Sequence, residues 1–224
     1  MTRPVVIAVD GTAASGKGTL ARRLAKEFGF AHLDSGSLYR LTALGVLEAR
    51  RSPHEETHAV DAALAIDPSR AGDPAIRTDA VAQTASIVAA FPAVRAALLD
   101  FQRRFAANPP GHAKGAVIDG RDIGTIVWPD ASAKLFVDAA PAVRARRRFL
   151  ELLGSGVVAD EAAVLADIMA RDKRDRERKV APLKPAPDAD LLDTTLLDID
   201  AAFARALTLV SPKVEEALKA RHRG

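Results

Sequence analysis

Residues 11–19 read GTAASGKGT, directly after the apolar run VVIAV of residues 5–9 and before a helical pattern in residues 20–28. The stretch nearly matches G-x-x-x-x-G-K-[ST], in which backbone N–H groups cradle phosphates and the lysine reaches the β- and γ-phosphates. It departs at Gly18, where that pattern has the hydroxyl residue that contacts Mg²⁺, and Thr19 supplies a hydroxyl one position later. A strand, a glycine-rich turn and an amphipathic helix form the context that such a loop requires. The sequence therefore predicts a working phosphate loop.

The bulk composition excludes several classes of protein. The chain has 224 residues, 48% of them apolar, which is enough for one substantial core. Its net charge of +3 is a weak argument for nucleic-acid binding, and the lack of cysteine excludes disulfides and thiolate metal sites. No apolar run approaches the ~18 residues of a membrane span, and the N-terminus leaves no room for a signal peptide. We expect a cytoplasmic protein.

Four further apolar runs have the length and composition of strands. They are FAHLDSG at residues 30–36, KGAVIDG at residues 114–120, AKLFVDA at residues 133–139 and DLLDTT at residues 190–195. Helical patterns separate them along the chain. Strands that alternate with helices predict an α/β fold in which helices cover a parallel sheet.

Two segments interrupt this alternation. Residues 41–75 contain several prolines and have a helical rather than strand-like pattern, and residues 151–187 end in a charge run followed by prolines. Both are predicted to be excursions from one core, which residues 1–40, 76–150 and 188–224 would form.

Five later motifs add specificity to the phosphate loop. They are LDSGSLYR (33–40), IRT (76–78), ASIVAAFPAVRAAL (85–98), DGRDIGT (119–125) and RDKRDRERKVAPL (171–183). In this order, and with the GKGT variant of the loop, they resemble the bacterial cytidylate kinases, a family of nucleoside monophosphate kinases. The resemblance implies a P-loop NTPase core with a five-stranded parallel sheet, a small acceptor-binding insert and a lid. The insert, residues 41–75, is shorter here than is common in the family.

The resemblance also implies an activity and a set of site residues. The reaction is transfer of the γ-phosphoryl group of ATP to CMP or dCMP, with Mg²⁺, by a monomer. ATP binding is assigned to Gly11, Thr12, Ala13, Ala14, Ser15, Gly16, Lys17, Gly18 and Thr19. CMP binding is assigned to Ser35, Tyr39, Arg40, Ser86, Arg95, Gly120, Arg121, Asp122, Arg171, Asp175 and Arg178. Catalysis is assigned to Lys17, Arg121, Asp122 and Arg178. Thr19 is the candidate metal contact, and phosphate oxygens and water would supply the other Mg²⁺ ligands.

Finer roles follow from the same resemblance. Ser86, Arg95 and Asp122 are expected at the edge of cytosine, because an arginine suits its acceptors and a carboxylate suits its amino group. At helical spacing, Arg171, Asp175 and Arg178 are expected on one face. The first two would lie near the sugar and Arg178 near the phosphates.

Each of these arginines also has an ordinary structural alternative. Arg40 could be a solvated surface residue, and Arg121 could form only a salt bridge at the end of a strand. The charge run of residues 171–179 could be a self-paired helix surface. A further cluster comprises Arg144, Arg146, Arg147 and Arg148, any of which is a candidate to contact ATP.

The chemistry of the acceptor distinguishes the functional alternatives. A phosphate monoester has a second pKa of about 6, so the attacking oxygen of CMP is ionised at neutral pH and needs no general base. An alcohol acceptor, such as a shikimate-like molecule, would instead require Asp122 as a base. A third alternative is a non-catalytic regulator that binds ATP or uses its basic helix to grip a nucleic-acid backbone.

Overall fold

A computed structural model describes the backbone of residues 4–223 and the side chains of residues 4–221. The strands are β1 (Val5–Gly11), β2 (Ala31–Asp34), β3 (Gly115–Gly120), β4 (Ala133–Asp138) and β5 (Asp190–Asp193). The α-helices are α1 (Lys17–Phe28), α2 (Ser35–Glu48), α3 (Glu56–Leu64), α4 (Asp79–Val88), α5 (Pro92–Ala107), α6 (Pro141–Gly154), α7 (Glu161–Glu177) and α8 (Ile199–Arg223). Short 3₁₀ turns occupy Pro68–Gly72, Pro74–Arg77 and Pro110–His112, and a π-helical turn occupies Ile123–Val127.

The five strands form one parallel sheet in the order β2-β3-β1-β4-β5. The first strand of the chain therefore lies in the centre, with β3 and β4 as its neighbours. Asp10 is in register with Gly120 of β3 and Phe136 of β4. All seven residues of β1 are buried, as expected for the central strand of a parallel sheet. The predicted α/β fold and its five strands are confirmed.

The chain divides into two compact units. One contains the sheet and comprises the residues up to Leu33 and those from Ala106 onward, and the other is Asp34–Phe105. In the sheet unit, Leu20 and Leu24 of α1 are fully buried in the main apolar cluster. This helix ends at Gly29, whose φ of 64° is the left-handed conformation favoured by glycine at such ends.

The unit Asp34–Phe105 is helical. Leu38, Val88, Val94 and Leu98 are buried in one of its apolar clusters. Residues 41–75 contain no strand, as their sequence pattern predicts. The carboxylates of Asp67 and Asp73 accept hydrogen bonds of 2.9 Å from the N–H groups two residues later, which starts each 3₁₀ turn. This compact unit contains more of the chain than residues 41–75. The roles of residues 41–75 as the acceptor-binding insert and of residues 151–187 as the lid stay predictions.

Within residues 4–223, no single helix is long and apolar enough to cross a membrane. Two consecutive segments, Asp79–Val88 and Pro92–His112, have the required length and composition only when taken together, and the chain bends by 101° between them.

Candidate active site

The phosphate loop leaves the central strand along a path that requires glycine. Gly11 has a φ of 150°, and a Cβ there would collide with the backbone carbonyl oxygen of Val137. Gly16, at the N-terminus of α1, has a φ of 88°, and Ala14 adopts a left-handed φ of 57°. A non-glycine residue pays strain in that conformation, so surrounding contacts must hold the loop in place.

Those contacts are made to the carbonyl groups of the loop. Ser15 Oγ donates to the carbonyl of Thr12 at 3.0 Å. Arg144 Nη1 donates to the carbonyl of Ala13 at 3.1 Å, and Thr194 Oγ1 donates to the carbonyl of Ser15 at 3.0 Å. Three side-chain donors thus hold the loop through its carbonyl oxygens.

The N–H groups of the same loop have a different environment. In the part of the chain that the structure describes, no backbone carbonyl accepts a hydrogen bond from residues 13–16. Lys17 follows as the first residue of α1. N–H groups beside a helix N-terminus form a site for anions, and the macrodipole adds to it. The loop therefore has the geometry to bind phosphate groups.

Gly18 and Thr19, the last two residues of the loop, lie where the standard pattern has its Mg²⁺ contact. Thr19 Oγ1 accepts a 3.3 Å hydrogen bond from Arg22 Nη2. A Cβ at Gly18 would lie 3.7 Å from both Arg22 Nη1 and Asp119 Oδ1, so no protein atom crowds this glycine. The described residues contain no cluster of three His, Cys, Asp or Glu that could hold a metal ion. A Mg²⁺ ion at this loop would take most of its ligands from phosphate groups and water, and Thr19 Oγ1 is the candidate protein ligand.

The turn after β3 carries the second set of candidate residues. Gly120 ends the strand, and Asp122 is buried at 5% exposure. The carbonyl of Asp122 accepts hydrogen bonds from the N–H groups of Ile126 and Val127 at 2.9 and 3.2 Å, which closes the π-helical turn. This closure holds the backbone of Asp122 in the turn.

Asp10 of the neighbouring strand β1 holds this turn in place. Its two carboxylate oxygens accept hydrogen bonds of 2.8 Å from the N–H groups of Ile123 and Gly124. Burial raises the pKa of Asp10 to about 7, although the two N–H donors favour the ionised carboxylate. The negative charge of Asp122 adds to the increase, and Arg121 opposes it.

Arginines of the charge run and of the turn after β3 act on one carboxylate, that of Asp175. Arg121 Nε donates to Asp175 Oδ2 at 3.0 Å, and Arg178 Nη1 lies 4.0 Å from Asp175 Oδ1. Burial alone would raise the pKa of Asp175, but the positive charges of Arg121, Arg171 and Arg178 outweigh it and the pKa is lowered. Asp175 is thus an ionised acceptor among three arginines.

One detail of the predicted helical face is wrong. Helix α7 ends at Glu177, and Arg178 follows with a ψ of 132°, outside the helical region. Pro182 lies four residues further on, and Leu183 donates its N–H to the carbonyl of Asp175 at 2.8 Å as the chain turns back. The stripe therefore contains Arg171 and Asp175, while Arg178 reaches the same carboxylate from beyond the helix end.

The four arginines of α6 all contact protein groups. Arg144 pairs with Asp172, Arg146 with Glu161 and Arg148 with Glu151, and Arg147 donates to the carbonyl of Thr194. The side chain of Arg144 is only 1% exposed, so this arginine supports the loop through the carbonyl of Ala13. Neighbouring arginines of this cluster point to different sides of α6 and therefore have different partners. The sequence alone does not show which of the four is buried.

In the unit Asp34–Phe105, two of the predicted residues are in contact. The Cζ atom of Arg95 lies 5.4 Å from the centroid of the Tyr39 ring, a cation–π distance. Arg95 also donates from Nη1 to the carbonyl of Ala89 at 3.2 Å and is buried, as is Ser86. The ring of Tyr39 and the carbonyl of Ala89 therefore both restrict the orientation of this arginine.

The remaining predicted residues of this unit lie on α2. Ser35 is its first residue and is buried. Arg40 Nη1 donates to the carbonyl of Ile76 at 2.8 Å, which links α2 to the IRT motif. Arg40 is thus held by the backbone and is not a simple solvated side chain.

Several supporting residues were not predicted. Every strand carries an aspartate at or next to its C-terminal end: Asp10, Asp34, Asp119, Asp138 and Asp193. Asp138 accepts a 2.6 Å hydrogen bond from Thr12 Oγ1, so this loop hydroxyl is used inside the protein. Asp119 Oδ2 lies 2.8 Å from His32 Nε2 on the neighbouring strand. The signal was visible in the sequence, since Asp10 directly follows the run VVIAV and each of the other four runs contains its aspartate.

Comparison with known proteins identifies the relatives of this site. A family model described as cytidylate kinase matches residues 7–211. The chain belongs to the cytidylate kinase family. A curated cytidylate kinase of Nitrobacter winogradskyi is 54% identical over 92% of this chain and 95% of its own length. One of Bradyrhizobium diazoefficiens is 53% identical over the same shares.

The solved structures agree at the level of fold. An uncharacterized protein from Eubacterium ventriosum has a TM-score of 0.54 and 15% identity, covering 92% of this chain and 98% of its own. At this identity, the likeness concerns the fold alone.

Proposed function

We propose that the chain transfers the γ-phosphoryl group of ATP to CMP or dCMP, giving ADP and CDP or dCDP. The observation that carries the proposal is the family match over residues 7–211. The phosphate loop supports it, because no backbone carbonyl of the described residues accepts a hydrogen bond from the N–H groups of residues 13–16. The alcohol-kinase and regulator alternatives have no comparable support.

The proposed mechanism relies on position and charge. The acceptor oxygen of CMP is already ionised at neutral pH, so no residue has to remove a proton from it. Phosphoryl transfer then depends on aligning the two nucleotides and stabilising charge on the transferred group. We assign this stabilisation to Lys17, Arg121 and Arg178. Bound Mg²⁺ would supply further neutralisation of the β- and γ-phosphates, with Thr19 among its ligands.

Acceptor recognition is assigned to residues of several motifs. In the unit Asp34–Phe105, Ser86 and Arg95 suit the amino group and the acceptors of cytosine, and Arg40 suits a phosphate. In the sheet unit, Asp122 suits the cytosine amino group. The hydrogen bond from Arg95 to the carbonyl of Ala89 supports this role, because it restricts the guanidinium orientation before any ligand binds.

Asp175 is assigned to the sugar. Its lowered pKa keeps it an ionised acceptor, and the hydrogen bond from Arg121 holds it in place. If it binds the 2′-hydroxyl, Asp175→Ala should lower kcat/KM for CMP more than for dCMP. An equal loss with both substrates would instead mean that Asp175 serves only as the partner of Arg121.

We also propose that the enzyme is a cytoplasmic monomer that acts on free nucleotides, without nucleic-acid or membrane partners. The small net charge of +3 supports this, because nucleic-acid binders generally carry a larger basic excess. Light scattering on the purified protein would measure the oligomeric state.

The deciding experiment is an ADP-release assay with a panel of acceptors. We expect the highest kcat/KM with CMP and dCMP among CMP, dCMP, UMP and AMP, and no turnover with shikimate. Phosphorylation of shikimate in place of CMP would support an alcohol kinase. Salt-dependent retention on DNA or RNA without any turnover would support a regulator.

A further inference from the structure

A buried ion pair joins helices α6 and α7. Arg144 lies in the first turns of α6, and Asp172 lies in the C-terminal half of α7. Their side chains are only 1% and 6% exposed, and Arg144 Nη1 and Nη2 donate to the two carboxylate oxygens at 3.2 and 2.5 Å. This is the bidentate arrangement in which arginine binds a carboxylate most specifically.

Two further N–H donors of this guanidinium bind backbone carbonyls. Nε donates to the carbonyl of Ala139 at 2.7 Å, and Nη1 also donates to the carbonyl of Ala13 at 3.1 Å. Removing two charges from water is costly unless both are paired and fully hydrogen-bonded. A well-packed apolar pair is often at least as stable in such a place, so stability alone is a poor explanation for these two residues.

The position of the pair indicates a role. Ala13 belongs to the phosphate loop, where the ATP phosphates are proposed to bind. Asp172 follows Arg171 directly and precedes Asp175 by three residues, so all three lie in the same turn of α7. One guanidinium therefore connects the backbone of the phosphate loop to the helix turn that carries proposed acceptor residues.

We propose that Arg144 and Asp172 are positioning residues that hold this turn of α7 in register with the phosphate loop. They touch neither nucleotide and act through Ala13, Arg171 and Asp175. The inference rests on the proposed function, because it gives α7 a part in acceptor binding. A small misplacement of reacting groups lowers the rate strongly, so loss of the pair should lower turnover even in protein that remains folded.

Asp172→Asn tests the link to α7. This variant removes the charge that holds the helix, while Arg144 can still donate to the carbonyl of Ala13. At a temperature well below the unfolding midpoint, we expect kcat to fall by about 10- to 100-fold for CMP and dCMP alike, with the KM for ATP little changed. A wild-type kcat in the folded variant would overturn the proposal.

Arg144→Lys tests the link to the loop. A lysine can pair with Asp172 but cannot reproduce the planar fork that reaches Asp172 and the two carbonyls together. We expect the KM for ATP to rise in this variant in addition to the fall in kcat. If Asp172→Asn does not fold, this cationic variant carries the test. An unchanged kcat and KM for ATP in folded Arg144→Lys would overturn the proposal.

An apolar double variant separates position from stability. Arg144→Met combined with Asp172→Leu removes both charges and should keep an unfolding midpoint near that of wild type. We expect its kcat to stay low and its KM for ATP to stay high. Recovery of both kinetic constants together with stability would show a purely structural pair and overturn the proposal.

Glu161→Gln is the matched control. Glu161 also pairs with an arginine of α6, Arg146, at 2.7 Å, but both side chains are about half exposed, at 42% and 56%. Its kinetic constants should stay within about twofold of wild type. A loss equal to that of Asp172→Asn would attribute the effect to any α6–α7 contact and overturn the specific role. Absence of CMP turnover in the wild-type enzyme would refute the proposed function instead, which separates the two failures.

Discussion

The phosphate loop and the turn after β3 follow neighbouring strands, but the protein holds them by opposite sides of the backbone. Side-chain donors bind the carbonyls of Thr12, Ala13 and Ser15 in the loop. In the turn, the carboxylate of Asp10 binds the N–H groups of Ile123 and Gly124.

This difference separates two ways of building a site. A loop that is fixed through its carbonyls keeps its N–H groups for an anion, and its side chains can be small, as in TAAS. A turn that is fixed through its N–H groups gives up backbone donors. Its chemistry must then come from side chains, and Arg121 and Asp122 are the residues that we propose for it. We expect substitutions in the side chains that hold the loop and in those that hold the turn to change the kinetic constants for different substrates.

Lys17→Ala should have the largest effect. It removes the lysine that we propose neutralises charge on the transferred phosphoryl group, a charge that the backbone N–H groups cannot replace. We expect kcat to fall by at least about 100-fold, with the unfolding midpoint within a few degrees of wild type. Steady-state kinetics and thermal circular dichroism would measure both. A kcat close to wild type would contradict the assignment of this loop.

Asp10→Asn should break the turn without breaking the loop. An asparagine offers one oxygen and one NH₂ group to two N–H donors, so one hydrogen bond is lost and two donors face each other. We expect kcat/KM for CMP to fall by about 10- to 100-fold. The KM for ATP should change much less, because the loop carbonyls keep their own donors. A larger effect on ATP than on CMP would show that the two supports are not independent.

The raised pKa of Asp10 predicts a pH dependence of stability. With a pKa of about 7 in the folded protein against 3.8 when unfolded, the folded state binds the extra proton between these values. The contribution of Asp10 to stability is therefore complete below its unfolded pKa and is lost as the pH rises through about 7. Denaturant unfolding at pH 5 and pH 8 should show a smaller loss in Asp10→Asn than in wild type. Equal losses in the two proteins would mean that Asp10 does not titrate in this range.

Thr194→Val should give the smallest effect. It removes a single hydroxyl donor to the Ser15 carbonyl, worth about 1 kcal/mol of stability, and leaves the other loop contacts in place. We expect the KM for ATP to rise a few-fold and the KM for CMP to stay unchanged. Thr208→Val is the control, since Thr208 Oγ1 donates to the carbonyl of Ala204 at 3.0 Å on the exposed side of α8. Equal changes in the two variants would remove Thr194 from the support of the loop.

The sequence was sufficient to predict the loop and the sheet. Short apolar runs placed all five strands. The central strands β1, β3 and β4 are almost completely buried, and a strand buried on both faces needs a continuous apolar stretch. The loop was recognisable because its glycines and lysine are needed at fixed spacing. The helical character of residues 41–75 was also correct, since prolines and capping aspartates favour short helical turns over strands.

The supports of the site could not be predicted in this way. Asp10 holds residues more than 100 positions away, and that contact depends on the register between β1 and β3. The four arginines of α6 have almost the same local sequence, but only Arg144 is turned into the core. The end of α7 before Arg178 depends on how the following segment folds back. Each case requires the tertiary arrangement of chain segments that no local pattern encodes.

The central place of β1 has a consequence for the synthesis of the protein. β1 ends at Gly11, but its two neighbours begin only at Gly115 and Ala133. At about 5–20 residues per second, the ribosome needs roughly 5–20 s to make the first of these partners. During that time an apolar strand has both edges unpaired, which is a state prone to aggregation, while the continuous unit Asp34–Phe105 can already fold. We expect a chain truncated near residue 110 and released from the ribosome to show protease protection in Asp34–Phe105 but to depend on a chaperone to keep β1 from aggregating.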